Sequence, residues 1–453
     1  MSKDHKNPMS IWTIVSCLIL SFTLSFAQVS WNPHLIHDNT QGTSSIYVCD
    51  LDNDSDLDIV GSILEDNQMV WWRNEGGYPI AWTKFVIGYN FFQAFSVYAA
   101  DLDNDGDQDV IGAAGAGDEI AWWSNNGGNP IQWTKYTIRS GYDFAHEVYA
   151  HDLDEDGDMD VFGASTNLDL ISWWRNEGGN PVQWTEQTIG VNFDGAKSVR
   201  VADLDDDGDN DVVGACLDGN DVNWWRNDGG DTIQWTEFNI DSYLTGAHRV
   251  QIIDLDGDQD LDILAAGYLV AQIVWYRNDG GNPIQWTKQV IGTNFLGACI
   301  AQAADFDDDG DLDVAASAQV SSQLVWYSND GGNPIVWTRY FIDDYFYRTW
   351  PLYICDLDQD NDPDAVAASS WQGTNEVMWY ENTGTGIIEN QTAEKVSQNP
   401  GPTIITSAAM LRLEPGDRIY DITGREINPV HFAPGIYFME TKDNIIKKVI
   451  KLR

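Results

Sequence analysis

An acidic nonapeptide with aspartate at every odd place recurs seven times in this chain, beginning at Asp50, Asp101, Asp152, Asp203, Asp254, Asp305 and Asp356, always 51 residues apart. Its carboxylates are Asp50, Asp52, Asp54, Asp56 and Asp58 in the first box, Asp101, Asp103, Asp105, Asp107 and Asp109 in the second, and Asp152, Asp154, Asp156, Asp158 and Asp160 in the third. Asp203, Asp205, Asp207, Asp209 and Asp211 follow, then Asp254, Asp256, Asp258, Asp260 and Asp262. The last two boxes hold Asp305, Asp307, Asp309, Asp311 and Asp313, and Asp356, Asp358, Asp360, Asp362 and Asp364. Carboxylates so crowded repel one another unless a cation lies among them. Calcium takes about six to eight oxygens, and a tight loop can turn alternate carboxylates and a backbone carbonyl toward one centre. The expectation is up to seven calcium ions, each held by side chains at places one, three, five and nine and by the carbonyl of place seven. An EF-hand would need flanking helices and a Glu at place twelve. The second box has Gly112 there, and the flanks read as strands. Place six calls for a positive φ, which Gly106, Gly157, Gly208, Gly310 and Asn361 meet more easily than Ser55 or Gln259. Boxes one and five are therefore expected to bind more weakly.

The elements that carry these loops can be read from one repeat. Between residues 97 and 138 the segment VYAAD is a short apolar strand, the box a loop, QDVIGAAG a second strand, EIAWWSN a third, NGGNP a turn and IQWTKYTI a fourth. Four short antiparallel strands per 51 residues make one blade of a propeller. Adjacent aromatic pairs recur in the third strand, as Trp71-Trp72, Trp122-Trp123, Trp173-Trp174, Trp224-Trp225, Trp275-Tyr276, Trp326-Tyr327 and Trp379-Tyr380. Neighbouring strand residues face opposite sides of a sheet, so both faces of each sheet must be buried. Blades packed side by side in a ring meet that condition. A Trp-Thr signature marks the fourth strand at Trp82, Trp133, Trp184, Trp235, Trp286 and Trp337, and the seventh repeat lacks it. Counting back 51 residues from Trp82 lands on Trp31, so Val29–Ile36 is expected to supply the missing strand and close the ring.

These repeats resemble the FG-GAP/VCBS repeats of integrin-α-like seven-bladed propellers, over about Val29 to Glu381. The resemblance implies an all-β fold with calcium in the boxes, and it places those loops on the face opposite the usual ligand face. On that reading the ions are structural.

Composition sets the rest of the frame. Net charge is −47, and 35 of the 71 acidic residues are the odd-place aspartates of the boxes, so half the acidity is confined to short loops. A surface this negative argues against a nucleic-acid partner. Residues 1–27, with Lys3 and Lys6 before an apolar run from Ile11 to Phe26 and Ser25-Phe26-Ala27 at its end, read as a signal peptide. Cys49, Cys216, Cys299 and Cys355 are too few and scattered for a disulfide framework. Residues 28–384 are read as the propeller and 385–400 as a polar linker. Residues 401–453 then carry strands at Arg418–Arg425, Pro434–Phe438 and Lys447–Arg453, expected to build a small β-sandwich. Together with the Asn399-Pro400 opening and the basic end, these resemble the C-terminal sorting domain of the type IX secretion system. That resemblance implies the type IX machinery as a partner and release from, or attachment to, the outer surface of a Gram-negative cell. A monomer is expected.

The repeats disagree most six residues before each box, at Ser44, Phe95, His146, Lys197, His248, Cys299 and Trp350, near the expected mouth of the channel. His146, Lys197, His248 and Arg249 would put positive charge on three consecutive blades, where an anionic sugar or a partner's carboxylate could dock with Trp350 beside it. Aromatics in the approach loops, among them Phe91, Phe92, Tyr142, Phe144, Phe193, Tyr243, Phe295, Tyr345, Phe346 and Tyr347, are expected mostly to plug gaps between blades. No nucleophile elbow or zinc-type histidine cluster stands out. The reading is a secreted or surface binding and adhesion module for a glycan or protein. The alternatives are a calcium-stabilised polysaccharide lyase with a His or Lys base at the mouth, and a purely structural surface component.

Overall fold

Short apolar strands between Gly- and Asn-rich turns have the expected outcome: the computed structural model folds residues 29–385 into seven four-stranded antiparallel sheets. It describes residues 29–230, 233–369 and 374–385, together with the strand segments 403–405, 418–421, 435–440 and 446–451. In the third blade the strands are Ala145–His151, Asp160–Ser165, Leu170–Asn176 and Trp184–Val191, paired in that order. Each innermost strand packs against the innermost strands of its two neighbours, and that of blade one packs against that of blade seven. The result is a closed seven-bladed propeller.

Closure involves the segment found by counting back. Val29–His37 pairs antiparallel with Val377–Thr385, from Val29 opposite Thr385 to His37 opposite Val377, and completes the seventh sheet.

The aromatic pairs show why the blades hold together. Every first and second member is buried, and the two go to different interfaces. Trp71 of blade one shares a core with Trp123 of blade two, Trp122 with Trp174, Trp173 with Trp225, and so on to Trp379 with Trp72. The second member also dictates its neighbour on the second strand. A Cβ added to Gly61 would lie 2.4 Å from the Trp72 ring, and one added to Gly163 would lie 2.8 Å from Trp174. Blades one to four therefore combine Gly61, Gly112, Gly163 and Gly214 with tryptophan, whereas blades five to seven combine Ala265, Ala316 and Ala367 with the smaller Tyr276, Tyr327 and Tyr380.

Contacts divide the chain into two units, residues 1–386 and 387–453. In the second, Thr403–Ile405, Ile446–Lys451, Gly435–Glu440 and Arg418–Asp421 form one mixed sheet in that order, with the first pair parallel. The described residues there make one layer, and the rest of the expected sandwich lies outside the described residues. Residues 1–27, and all of the expected linker except Thr385, lie outside the described residues.

Candidate metal centres and the central channel

Each acidic box leaves the bottom of an innermost strand, and its geometry repeats from blade to blade. In the second box Asp101 accepts the N–H groups of Asp105 and Gly106 at 3.2 and 3.0 Å, and Asp105 accepts that of Asp107 at 3.0 Å. Asp109 begins the second strand and is fully buried. Its two oxygens accept the N–H of Leu102 at 3.0 Å and of Asn125, on the third strand, at 2.8 Å. The loop is thus tied to two strands through its own carboxylates.

What remains converges. One oxygen each from places one, three and nine lies within 4.8 Å of the others in the first five boxes, as in Asp101, Asp103 and Asp109. Oxygens about 2.3–2.6 Å from one calcium ion can be no more than about 5 Å apart. Oδ1 of place three is buried without a hydrogen-bond partner in Asp52, Asp103, Asp154, Asp205 and Asp307. Burial pushes the place-nine carboxyls, Asp58 and Asp109 among them, up to about 7. A divalent cation would relieve both the orphaned oxygen and the buried charge, so the donor set fits a hard cation.

Two features of the loop go beyond the sequence reading. Place four, like place six, has positive φ in every box: 58° at Asn104 and 94° at Gly106, 59° at Asn53 and 79° at Ser55, 73° at Gly257 and 81° at Gln259. Place seven turns outward. Asn53 donates to Asp107 of the next blade at 2.9 Å, and Asn104 donates to Asp158 at 2.5 Å, so these carboxylates stitch neighbouring loops. In blade three Arg175 also lies 2.8 Å from Asp154 at the rim of the site.

At the other end of the innermost strands the pairing slips by one residue in every blade, between Ala145 and Glu147 in the third and between Ala247 and Arg249 in the fifth. The bulged residue is the one six places before the box. Freed from the ladder, it turns toward the axis, and rings from four blades meet there. Phe95 and His146 stack at 5.1 Å, His146 and His248 lie 6.1 Å apart, and Trp350 is 5.6 Å from His248 and 6.2 Å from Phe95. The expected open mouth is therefore closed by a plug. Nδ1 of His146 donates to the Lys197 carbonyl and Nδ1 of His248 to that of Cys299, both at 3.1 Å. Burial, and then the charge of Lys197, holds both imidazoles far below their ordinary value, that of His248 at about 3. Burial likewise brings Lys197 down to about 8. The charge expected from His146 and His248 is thus absent at neutral pH, because two buried rings cannot keep a proton beside a lysine and an arginine.

Arg249 points elsewhere. It donates to Glu147 through Nε and Nη2 at 2.9 and 2.5 Å, and Arg200 donates to the same oxygen at 3.0 Å. Burial alone would raise the Glu147 carboxyl, but the two guanidiniums and the Val199 N–H hold it at about 2. This triad lies below the plug in a channel cavity of about 340 Å³. Neither Glu147 nor Arg200 was marked by sequence reasoning, although Arg200 breaks a repeat position held by tyrosine in four blades. The approach-loop aromatics divide. Phe91, Tyr142, Phe193, Phe295 and Phe346 are buried between blades, while Phe92, Tyr243, Tyr345 and Tyr347 are exposed.

Five overlapping segments, 50–112, 101–163, 152–214, 203–265 and 254–316, match the model of the FG-GAP-like repeat, and together they span more than half of the chain. The chain belongs to the FG-GAP-like repeat family. Each match runs from one acidic box to the second strand of the next blade, so the FG-GAP unit carries its box at both ends. No curated protein matches the chain. Among solved structures, BBS1N in complex with ARL6DN is 10% identical, with a TM-score of 0.50 over 77% of this chain and 96% of that one. A lectin from Agrocybe aegerita that recognises non-reducing terminal N-acetylglucosamine is 20% identical, with a TM-score of 0.50 over 76% of this chain and 94% of its own. At these identities the likeness is one of fold. An FG-GAP propeller is a framework for binding and interaction.

Proposed function

We propose that this chain is a calcium-stabilised propeller that binds a glycan or protein ligand outside the cell. The carrying observation is the contrast between its two ends. At one end the boxes keep their aspartates in all seven blades. At the other the loops vary from blade to blade and hold Phe92, Tyr243 and Tyr345 exposed, Tyr243 to 84%. Repetition suits a structural ion, and variation suits recognition of one ligand. The orphaned place-three oxygens and buried place-nine carboxylates support the cation, and an oxygen-only donor set favours calcium over softer metals. Neighbours of the same fold include a lectin and a protein held in a complex, which supports either ligand class. A lyase base at the plug is not favoured, because His146 and His248 are each 7% exposed and bonded to backbone carbonyls.

The apolar N-terminal run and the tail motifs support export by the type IX route to the surface of a Gram-negative cell. Screening the purified chain in millimolar calcium against glycans, polysaccharides and surface proteins, with product analysis, tests the reading. Retention without cleavage is expected. Unsaturated sugar products would replace binding by a lyase, and failure of every probe would leave the structural component.

A further inference from the structure

The cavity below the plug belongs neither to the acidic loops nor to the variable face. We propose that it binds a small carboxylate with a ring-shaped or apolar body. The residue three places before each box lines it in all seven blades, as four tyrosines, two glutamines and Arg200. The tyrosines are consecutive around the ring. Tyr47 lies 4.4 Å from Tyr98 and 5.3 Å from Tyr353, and Tyr98 lies 5.1 Å from Tyr149. They form an aromatic wall on one side.

The other side is rich in donors. Oε1 of Gln251 accepts the N–H of Ala303 and Oε1 of Gln302 that of Ile354, each at 3.0 Å. This fixes both amides through their oxygens, with the Nε2 groups as their donors. Arg200 and Arg249 meet Glu147 through Nη1 of one and Nε and Nη2 of the other, which leaves each guanidinium further N–H groups. The charged lining consists of Glu147, Arg200 and Arg249. Two cations against one anion leave a net positive charge in the centre of a chain whose net charge is −47. An unbalanced half-buried guanidinium is costly, and a carboxylate with its fork geometry is the anion that matches it. A cavity of about 340 Å³ is of small-ligand size, so the ring of such a ligand can lie on the tyrosines while its carboxylate meets the donors.

Calorimetry on the full chain in millimolar calcium tests this, with glucuronate as the probe and glucose as its neutral twin. Glucuronate should bind one to one and at least about tenfold more tightly than glucose, the worth of one charge-assisted hydrogen bond. Gln302→Glu keeps the acceptor for Ile354 and sets a negative charge against the ligand. It should weaken glucuronate by about tenfold or more with a melting midpoint no lower than that of the parent. Should that variant fail to fold, Arg200→Lys, which keeps the charge and loses the fork, carries the same expectation. Equal affinity for the two sugars, no binding of glucuronate, or undiminished binding in the folded variant would overturn the proposal; the last would place the carboxylate outside the cavity.

Discussion

The acidic loop is a residue-scale device in which backbone strain and ligand geometry are coupled. Places four and six both lie in the left-handed region, and a side chain there costs roughly 1 kcal/mol relative to glycine. Ser55 at 79° and Gln259 at 81° carry that cost, whereas Gly157 at 95° does not. Ser55→Gly or Gln259→Gly should therefore raise the stability of the calcium-loaded protein by about 0.5–1 kcal/mol. Gly157→Ala should lower it by more than that. Melting midpoints in millimolar calcium check both signs, and a stabilising Gly157→Ala would show that the loop is not held as described.

The plug gives a pH dependence whose sign follows from burial. His146 and His248 have folded-state pKa values below the unfolded value of about 6.5. Between the two the unfolded chain binds more protons, so these residues favour unfolding as pH falls through about 6.5. His146→Gln with His248→Gln keeps donors for the Lys197 and Cys299 carbonyls and removes the titration. The double variant should be the less stable protein near pH 7.5 and should close that gap, or reverse it, by about pH 5. A gap that stayed constant with pH would mean that the imidazoles are not buried neutral.

Among the elements, the second and third strands of each blade are matched by volume. Gly163 sits beneath Trp174 with no space for a methyl group. Gly163→Ala should cost about 1–3 kcal/mol by overpacking. The chain itself shows the remedy, because blades five to seven use alanine with tyrosine. Adding Trp174→Tyr should recover at least half of that loss, and denaturant unfolding of the single and double variants measures it. If the two substitutions simply added, the packing account would fail.

For the whole molecule, stability rests on closure and, under the proposed function, on ions. Val29–His37 is the outer strand of the last sheet and brings Val29 and Ile36 into two inter-blade cores. A chain lacking residues 29–36 should unfold at lower temperature or aggregate through the bared edge. Loss of an equally long piece within 386–397 should have little effect. Calcium bound as proposed would add to this by mass action. At a free concentration of 100 times Kd each occupied site contributes about 2.7 kcal/mol, so several sites together should move the melting midpoint upward by many degrees between chelator and millimolar calcium. An unmoved midpoint would remove calcium from the proposed function.

Period and side-chain parity alone determined the number of blades, the strand order within them, the burial of the aromatic pairs and the positive φ at place six. These follow from local chemistry repeated in phase, and seven copies of one pattern leave little freedom in how it folds. What faces the axis was decided only in three dimensions. A one-residue bulge turns His146, His248 and Trp350 inward and closes the mouth, and Glu147 and Arg249, separated by 102 residues, meet because the ring curves them together. A repeat register shows which residues occupy equivalent positions, but not which equivalents touch across a channel, since that depends on the radius of the ring and the tilt of its strands.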